Sequence, residues 1–167
     1  AAERGFLTAV GRCSQDDGAP PLWPWHAVLD SLDSGAFELD SGGQTEESRA
    51  FELQDALART VLQKATDGPV LIVLEDLHWA DTASLRALAH LVANTAGERL
   101  MILTTRRRWP QPAGVLADLG VTLARHAAEH IELSGLDPGE ARSLLETVAA
   151  GISPDHVDAW YERTGGN

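Results

Sequence analysis

The clearest hydrophobic pattern in the chain is an unbroken apolar run that ends on two acids. Val70 to Leu74 contains no polar residue, and Glu75 and Asp76 follow it directly. A run without polar alternation is typical of a strand buried on both faces of a parallel sheet, and Gly68-Pro69 marks its start. Ligands of open α/β folds bind at the carboxyl edge of the sheet. The pattern therefore predicts a central strand with a functional acidic end; the alternative is a core strand followed by a solvated turn.

Strands and helices alternate along most of the chain, which predicts parallel βαβ units and an α/β fold. Between Ser34 and Glu47 the sequence is rich in glycine, serine and acids, and we expect a flexible loop there. Asp81 or Thr82 is expected to cap the helix that follows the central strand. Further strands are predicted at Phe6–Arg12, Leu100–Thr105 and His130–Leu136. Further helices are predicted from Pro24, over Ser48–Ala65, over Val115–Arg125, from Pro138 and from Pro154.

The last part of the chain changes from this alternation to helices only. The run Asp137–Glu140 combines an N-cap, a proline at the first helical position and a capping-box glutamate, and Ser153-Pro154 repeats a start signal. The inward-facing residues of the first of these helices are expected to be Leu144, Leu145 and Val148. We therefore expect a core over residues 1–136 and the start of a helical lid over residues 137–167.

The charge and composition of the chain argue against several classes of binding partner and cellular location. The net charge of −12 argues against a surface that grips DNA or an anionic membrane. No apolar run reaches membrane-spanning length, no signal peptide is visible, and the single Cys13 excludes a disulfide framework, so we expect a cytoplasmic protein. The basic residues are twelve arginines and one lysine, and Arg106 to Arg108 form a local cluster that could hold an anion. The alternative is a solvated turn.

The ends of two predicted strands carry the candidate chemistry. Beside a nucleotide, one of the two carboxylates of Glu75 and Asp76 would hold Mg²⁺ through its waters, and the other would orient the attacking water. Thr105 and Arg106 end the neighbouring apolar run. If the strands are parallel, they lie at the same edge, where a hydroxyl and a guanidinium could contact a phosphate.

These segments together resemble a known family. Val-Leu-Ile-Val-Leu-Glu-Asp-Leu-His-Trp-Ala-Asp, followed one helix later by Leu-Met-Ile-Leu-Thr-Thr-Arg, is similar to the AAA-type ATPase module of bacterial STAND signalling proteins. The resemblance is strongest to the large ATP-binding LuxR-type transcriptional regulators, and the antibiotic regulatory proteins of actinomycetes are a nearby group. Gly11-Arg12-Cys13, the run Pro21–Trp25 and the terminal Thr164–Asn167 also resemble that group.

The resemblance implies a P-loop-type ATPase core, with ATP and Mg²⁺ as cofactors and slow, switch-like hydrolysis. Glu75 falls on the Mg²⁺-side position, Asp76 on the position of the catalytic acid and Arg106 on the sensor position. These two acids are interchanged relative to the usual order, which leaves their division of labour open. DNA contact would belong to another domain, and nucleotide-dependent self-association is also implied. His78, Trp79 and Asp81 belong to the family signature, although a helix cap and packing explain Asp81 and Trp79 equally well.

One element of such ATPases is missing from the sequence. A phosphate loop requires Gly-x-x-x-x-Gly-Lys-Ser/Thr, and the only lysine, Lys64, falls inside a predicted helix. We therefore expect that the first strand and the phosphate loop of the family lie upstream of Ala1. The family's strand order then predicts a sheet with a gap, or one with Leu100–Thr105 as an open edge strand. The isolated chain is not expected to bind the nucleotide.

Two other function classes are compatible with parts of the sequence. His126-Ala127-Ala128-Glu129-His130 fits the H-x-x-E-H zinc-protease pattern, which needs both histidines on one helical face and a third ligand. Because His130 opens a predicted strand, a chance match is favoured. The stronger alternative is a regulatory or protein-interaction module that binds no nucleotide, which the missing phosphate loop favours.

Overall fold

The computed structural model describes residues 2–15, 19–32, 45–148 and 153–166, and they divide into two compact units, 1–128 and 129–167. Most of the predicted Ser34–Glu47 loop lies outside the described residues. Three strands and six helices are described: β1 (Leu7–Arg12), α1 (Trp23–Ser31), α2 (Glu46–Asp67), β2 (Val70–Glu75), α3 (Thr82–Asn94), β3 (Leu100–Thr104), α4 (Val115–Arg125), α5 (Pro138–Val148) and α6 (Pro154–Thr164). Two short 3-10 turns span Ala2–Arg4 and Leu77–Trp79.

The first unit is built on a three-stranded parallel sheet in the order β1-β2-β3. This confirms the predicted α/β class, the central position of β2 and the edge position of β3. Among the described residues no strand pairs with the far side of β3, and the sheet has no gap. None of the described helices is long and apolar enough to span a membrane.

Helices pack against one face of the sheet, whereas the other face is partly exposed. Ala9 and Ile72 on one face are fully buried and belong to the core, together with residues of α1, α2, α3 and α4. The opposite face, which we call the open face, carries the apolar or small side chains that alternate along the strands with Ala9, Ile72 and the other core residues. On it Val10 is 47%, Met101 54% and Leu103 44% exposed. On the same face Leu71 and Val73 of β2 are half-buried, so the prediction that the Val70–Leu74 strand is buried on both faces is wrong for the open face. The open face consists of Thr8, Val10, Leu71, Val73, Met101 and Leu103.

Local signals place the helices of the first unit against the sheet. Gly11 lets α1 approach β1, because a Cβ at this position would lie 2.2 Å from the carbonyl oxygen of Pro24. The buried indole of Trp25 donates its Nε1–H to the carbonyl oxygen of Ser84 in α3 at 3.1 Å. Asp81 caps α3, as predicted, by accepting a hydrogen bond from the Ser84 backbone N–H at 2.9 Å.

The second unit contains α5 and α6. The predicted capping box is confirmed: the Glu140 N–H donates to Asp137 Oδ1 at 2.8 Å, and the Asp137 N–H donates to Glu140 Oε2 at 3.0 Å. Ala141 and Val157 are buried, whereas Leu144 and Val148 are exposed, so the predicted inward face is wrong for these two residues.

The predicted strand at His130–Leu136 is also wrong, because these residues have no regular secondary structure. Their backbone forms no ladder; the Leu136 N–H instead donates to the carbonyl oxygen of Gly166 at 2.9 Å. Ile131 and Leu133 are 69% and 89% exposed. Alternating hydrophobicity therefore produces no strand here, since among the described residues no strand pairs with it.

Candidate active site

The candidate site lies at the carboxyl edge of the sheet, where β2 ends. Glu75 is the last residue of β2, and Asp76 follows it in the left-handed region, with φ 60° and ψ 44°. The chain then turns through the 3-10 turn Leu77–Trp79. A left-handed conformation costs energy for any residue with a Cβ, and Asp and Asn tolerate it best among these. Apart from glycine, aspartate is therefore one of the residues that fits this sharp turn with the least strain.

Thr105 holds this turn from the neighbouring strand end. Its backbone N–H donates to the Leu74 carbonyl oxygen at 3.0 Å, and its own carbonyl oxygen accepts from the Leu77 N–H at 2.9 Å. Its Oγ1 accepts from the Asp76 N–H at 3.1 Å. Thr105 thus contacts the backbone on both sides of Asp76. The predicted proximity of the two strand ends is present in the structure, and the Thr105 hydroxyl bonds the peptide of the acid.

Arg106 and Arg107 follow Thr105 in an exposed segment without regular secondary structure. The Arg106 Nη1 donates to the carbonyl oxygen of Arg107 at 3.2 Å, and the Arg107 N–H donates to His78 Nδ1 at 3.3 Å. The Arg107 guanidinium lies 5.9 Å from the centroid of the Trp79 ring, within cation–π range. Arg106 therefore lies beside the turn that follows the acids, with its guanidinium at the surface.

Glu75 is paired with a residue that the sequence prediction missed. Arg12 lies opposite it in the β1–β2 register, and Glu75 Oε2 accepts from Arg12 Nε at 2.8 Å and from Nη2 at 2.6 Å. This hydrogen bond and the charge of Glu75 raise the pKa of Arg12 further above its usual range. The signal that could have found the pair is the parallel register, which aligns Gly11-Arg12 with Leu74-Glu75.

The two acids therefore differ in what they can offer a ligand. Within the described residues the carboxylate of Asp76 has no hydrogen-bond or ion-pair partner, whereas one oxygen of Glu75 accepts both bonds from Arg12. Mg²⁺ typically takes one or two carboxylates and keeps several waters. Asp76 fits that requirement as it stands, and Glu75 fits it if it leaves Arg12. No group of three or more His, Cys, Asp or Glu side chains that could hold a metal is present in the described part of the chain.

A cleft of about 410 Å³ lies next to the acidic turn, and none of the four predicted site residues lines it. Its walls include Cys13, Trp23, Trp79 and Asp81. Asp81 also accepts from the Leu22 N–H at 3.2 Å, so its carboxylate ties the wall of the cleft to α3. Burial, with a smaller contribution from Asp81 and Asp76, raises the pKa of Cys13 to about 11. The thiol therefore stays protonated at neutral pH and is no nucleophile there.

The histidines of the zinc-protease pattern are not arranged for metal binding on a helix. His126 is the C-cap of α4, Ala127 has a positive φ of 54°, and His130 lies in a segment without regular structure. A helical H-x-x-E-H face is therefore not formed, in agreement with the chance match favoured above.

A family model for the AAA ATPase domain matches residues 3–103, more than half of the chain. The chain belongs to the AAA ATPase domain family. The match covers β1, β2, the acidic turn and β3 up to Leu103, and it ends before Thr105 and Arg106. No curated protein and no solved structure matches the chain. Membership of the AAA ATPase domain family implies the use of a nucleotide and Mg²⁺ in general, and it agrees with the parallel sheet and the acids at its carboxyl edge.

Proposed function

We propose that this chain carries the acidic and sensor elements of an ATPase switch in a bacterial STAND-type transcriptional regulator. The observation that carries the proposal is the bonding of Thr105 to both sides of Asp76. It joins the end of the acidic strand to the start of the arginine segment, and in the proposed switch a change at one would be transmitted to the other. In a switch of this kind ATP favours one state, and hydrolysis resets it.

Asp76 is the main acid of the proposed site. Its unpaired carboxylate would hold Mg²⁺ through the ion's waters and orient the water that attacks the γ-phosphate. Bound Mg²⁺ would supply neutralisation of the negative charge on the phosphate oxygens. Glu75 supports this site from the Mg²⁺ side, with its charge balanced by Arg12. Arg106 would contact the γ-phosphate, because a planar guanidinium matches phosphate oxygens, and Thr105 would position Asp76.

In this proposal the phosphate loop is supplied by residues outside this sequence, because the sequence has no Gly-x-x-x-x-Gly-Lys-Ser/Thr run and its one lysine, Lys64, lies in α2. In the proposed assembly the strand before that loop pairs with the far side of β3. The far side of β3 and the exposed Met101 and Leu103 are available for such a neighbour among the described residues. We call the chain preceded by this strand and loop the extended protein.

The regulatory role is part of the same proposal. The net charge of −12 favours DNA contact through another domain, and the regulator is proposed to act in the cytoplasm. The helices α5 and α6 would form the start of the lid over residues 137–167. Nucleotide-dependent self-association would couple hydrolysis to output.

The test compares ATP binding and hydrolysis by the chain, by the extended protein and by two variants of the latter. The extended protein is expected to bind and hydrolyse ATP, while the chain alone binds little. Asp76→Asn should bind ATP and lose hydrolysis, and Arg106→Ala should lose hydrolysis while the fold survives. Normal turnover in both variants would contradict the site assignment. Tight ATP binding by the chain alone would show that the loop is not needed.

The alternative is a regulatory or protein-interaction module that binds no nucleotide. The missing phosphate loop and the exposed apolar side chains of the open face favour it. An extended protein that shows no ATP binding by calorimetry, although it is folded, would support this alternative and exclude the switch.

A further inference from the structure

A histidine connects the acidic turn to the arginine segment. His78 Nδ1 accepts a hydrogen bond from the Arg107 N–H at 3.3 Å, and the His78 ring packs at a tilt on Trp79, with 5.0 Å between ring centroids. We propose that His78 is a positioning residue that holds Arg106 beside Asp76 for phosphoryl transfer. This inference rests on the proposed function.

The backbone on either side of Arg106 is tethered to one turn. Before it, the Thr105 carbonyl oxygen accepts from the Leu77 N–H at 2.9 Å. After it, the Arg107 N–H donates to His78 at 3.3 Å. Arg106 is the single residue between these two tethers, and both end in the 3-10 turn that follows Asp76. The backbone is thus held to the acidic turn on both sides of Arg106.

Only the second tether depends on a side chain that can be replaced. The first uses two backbone groups, while the second needs an acceptor at the Nδ1 position of residue 78. Because Nδ1 accepts a backbone N–H, the neutral ring carries its proton on Nε2. Nε2 itself is buried and has no hydrogen-bond partner among the described residues. The ring therefore contributes one acceptor, and its other nitrogen makes no bond that a substitution would break.

The chemistry of that acceptor defines a matched pair of variants. The Asn side-chain oxygen is attached to Cγ, as Nδ1 is, so His78→Asn can keep the bond to the Arg107 N–H. The Gln oxygen is one bond further out, near the position of Nε2, so His78→Gln cannot keep it without a shift. His78→Ala removes the acceptor. A role in filling space alone would favour Gln over Asn, because Gln is closer in volume to His.

Loss of the tether should lower turnover more than binding. Arg106 acts on the charge that develops on the γ-phosphate, so its displacement is expected to reduce kcat, while KM changes by less than about threefold. A displacement on the order of 1 Å typically costs up to a hundredfold, so we expect His78→Ala and His78→Gln to reduce kcat about tenfold to a hundredfold. His78→Asn should stay within about threefold of the unsubstituted protein.

The experiment is a double-mutant cycle in the extended protein, with His78→Ala, Arg106→Lys and both together, beside the Asn and Gln variants. Lys keeps a positive charge at position 106 without the planar fork of Arg, so turnover is expected to be reduced but still measurable. If His78 acts through Arg106, then His78→Ala lowers kcat less in the Arg106→Lys background than in the unsubstituted protein. An equal loss in both backgrounds would overturn the proposal, and so would a loss in His78→Asn as large as in His78→Gln.

Hydrogen exchange of the Arg107 backbone amide separates this proposal from the proposed function. Protection is expected in the unsubstituted protein and in His78→Asn, and it should be lost in His78→Ala and His78→Gln, with or without ATP. Loss of protection without any change in kcat would overturn the positioning role. An extended protein that is folded, shows the same protection pattern and hydrolyses no ATP would overturn the proposed function, and the role of His78 in hydrolysis with it.

Discussion

Substitutions of Asp76 can distinguish the effect of its left-handed backbone on stability from the effect of its carboxylate on hydrolysis. Asp76→Asn, Asp76→Gly and Asp76→Ala all remove the charge, so the relief of repulsion from Glu75 is common to the three. They differ in how well they accept φ 60° and ψ 44°. Glycine adopts this region freely, asparagine tolerates it, and alanine has a Cβ without a polar group to offset the strain.

The expected free energies of unfolding follow from these preferences. A Cβ-bearing residue in the left-handed region costs about 1–2 kcal/mol, of which the Asn side chain recovers a part. Glycine avoids the strain, but its greater conformational freedom stabilises the unfolded chain by about 0.5–1 kcal/mol, which offsets part of the gain. We therefore expect the Asn and Gly variants to be about 1 kcal/mol more stable than the Ala variant. The hydrogen bonds that the backbone N–H groups of residue 76 and Leu77 donate to Thr105 are expected to hold the turn in all three.

Urea denaturation followed by tryptophan fluorescence measures the order, because the buried Trp25 reports on the core of the first unit. For a slope of about 2 kcal/mol per molar urea, 1 kcal/mol moves the midpoint by about 0.5 M. ATP hydrolysis by the same variants of the extended protein should be lost in all three. An Ala variant as stable as the Asn variant would show that residue 76 is not left-handed in solution. Hydrolysis that survives in the Gly variant would show that the carboxylate is not needed.

Three further predictions concern packing, the turn and the thiol. Gly11→Ala should lower the free energy of unfolding by about 3 kcal/mol in urea titrations, because its Cβ would lie 2.2 Å from a carbonyl oxygen of α1. The control is Gly120→Ala in α4, where an added Cβ meets nothing within 4 Å. This control should be neutral or should stabilise the fold by about 0.5–1 kcal/mol. Thr105→Val removes the acceptor of the Asp76 N–H and should cost about 1 kcal/mol by the same assay, whereas Thr105→Ser keeps it; equal stabilities would contradict the bond. Cys13, with a pKa of about 11, should react with iodoacetamide at pH 8 about a hundredfold more slowly than an exposed thiol. Since unfolding lowers this pKa towards 9.0, the thiol's contribution to stability is complete below pH 9 and is lost as the pH rises towards 11. The assignment would be refuted if the free energy of unfolding of a Cys13→Ala variant fell by as much over that pH range as that of the unsubstituted protein.

Those parts of the fold that depend on neighbours in the sequence were predictable. The apolar run of β2, the Asp81 cap and the Asp137–Glu140 capping box all form as expected, because each needs only residues within a few positions of one another. The position of β3 at the edge was predictable only from the family's strand order. The strand at His130–Leu136 failed, because a strand also needs a partner that the local pattern does not specify.

The site was predictable in its residue types but not in its bonding. Adjacent acids and the Thr105-Arg106 pair identified the edge of the sheet. The pairing of Arg12 with Glu75 joins residues 63 positions apart and depends on the register of two strands, so no local pattern contains it. The positive φ of Asp76 and the tether at His78 depend in the same way on contacts between separate segments.

The open face, and the side of β3 with which no described strand pairs, bear on how the chain is expected to behave in solution. An exposed apolar sheet face beside an unpaired edge favours contact between copies and eventual aggregation. The net charge of −12 opposes this by mutual repulsion, which salt weakens because the screening length falls to about 8 Å at physiological ionic strength. We therefore expect the chain to stay dispersed at low ionic strength, where its net negative charge outweighs the attraction between exposed Val10, Met101 and Leu103, and to associate as salt is added.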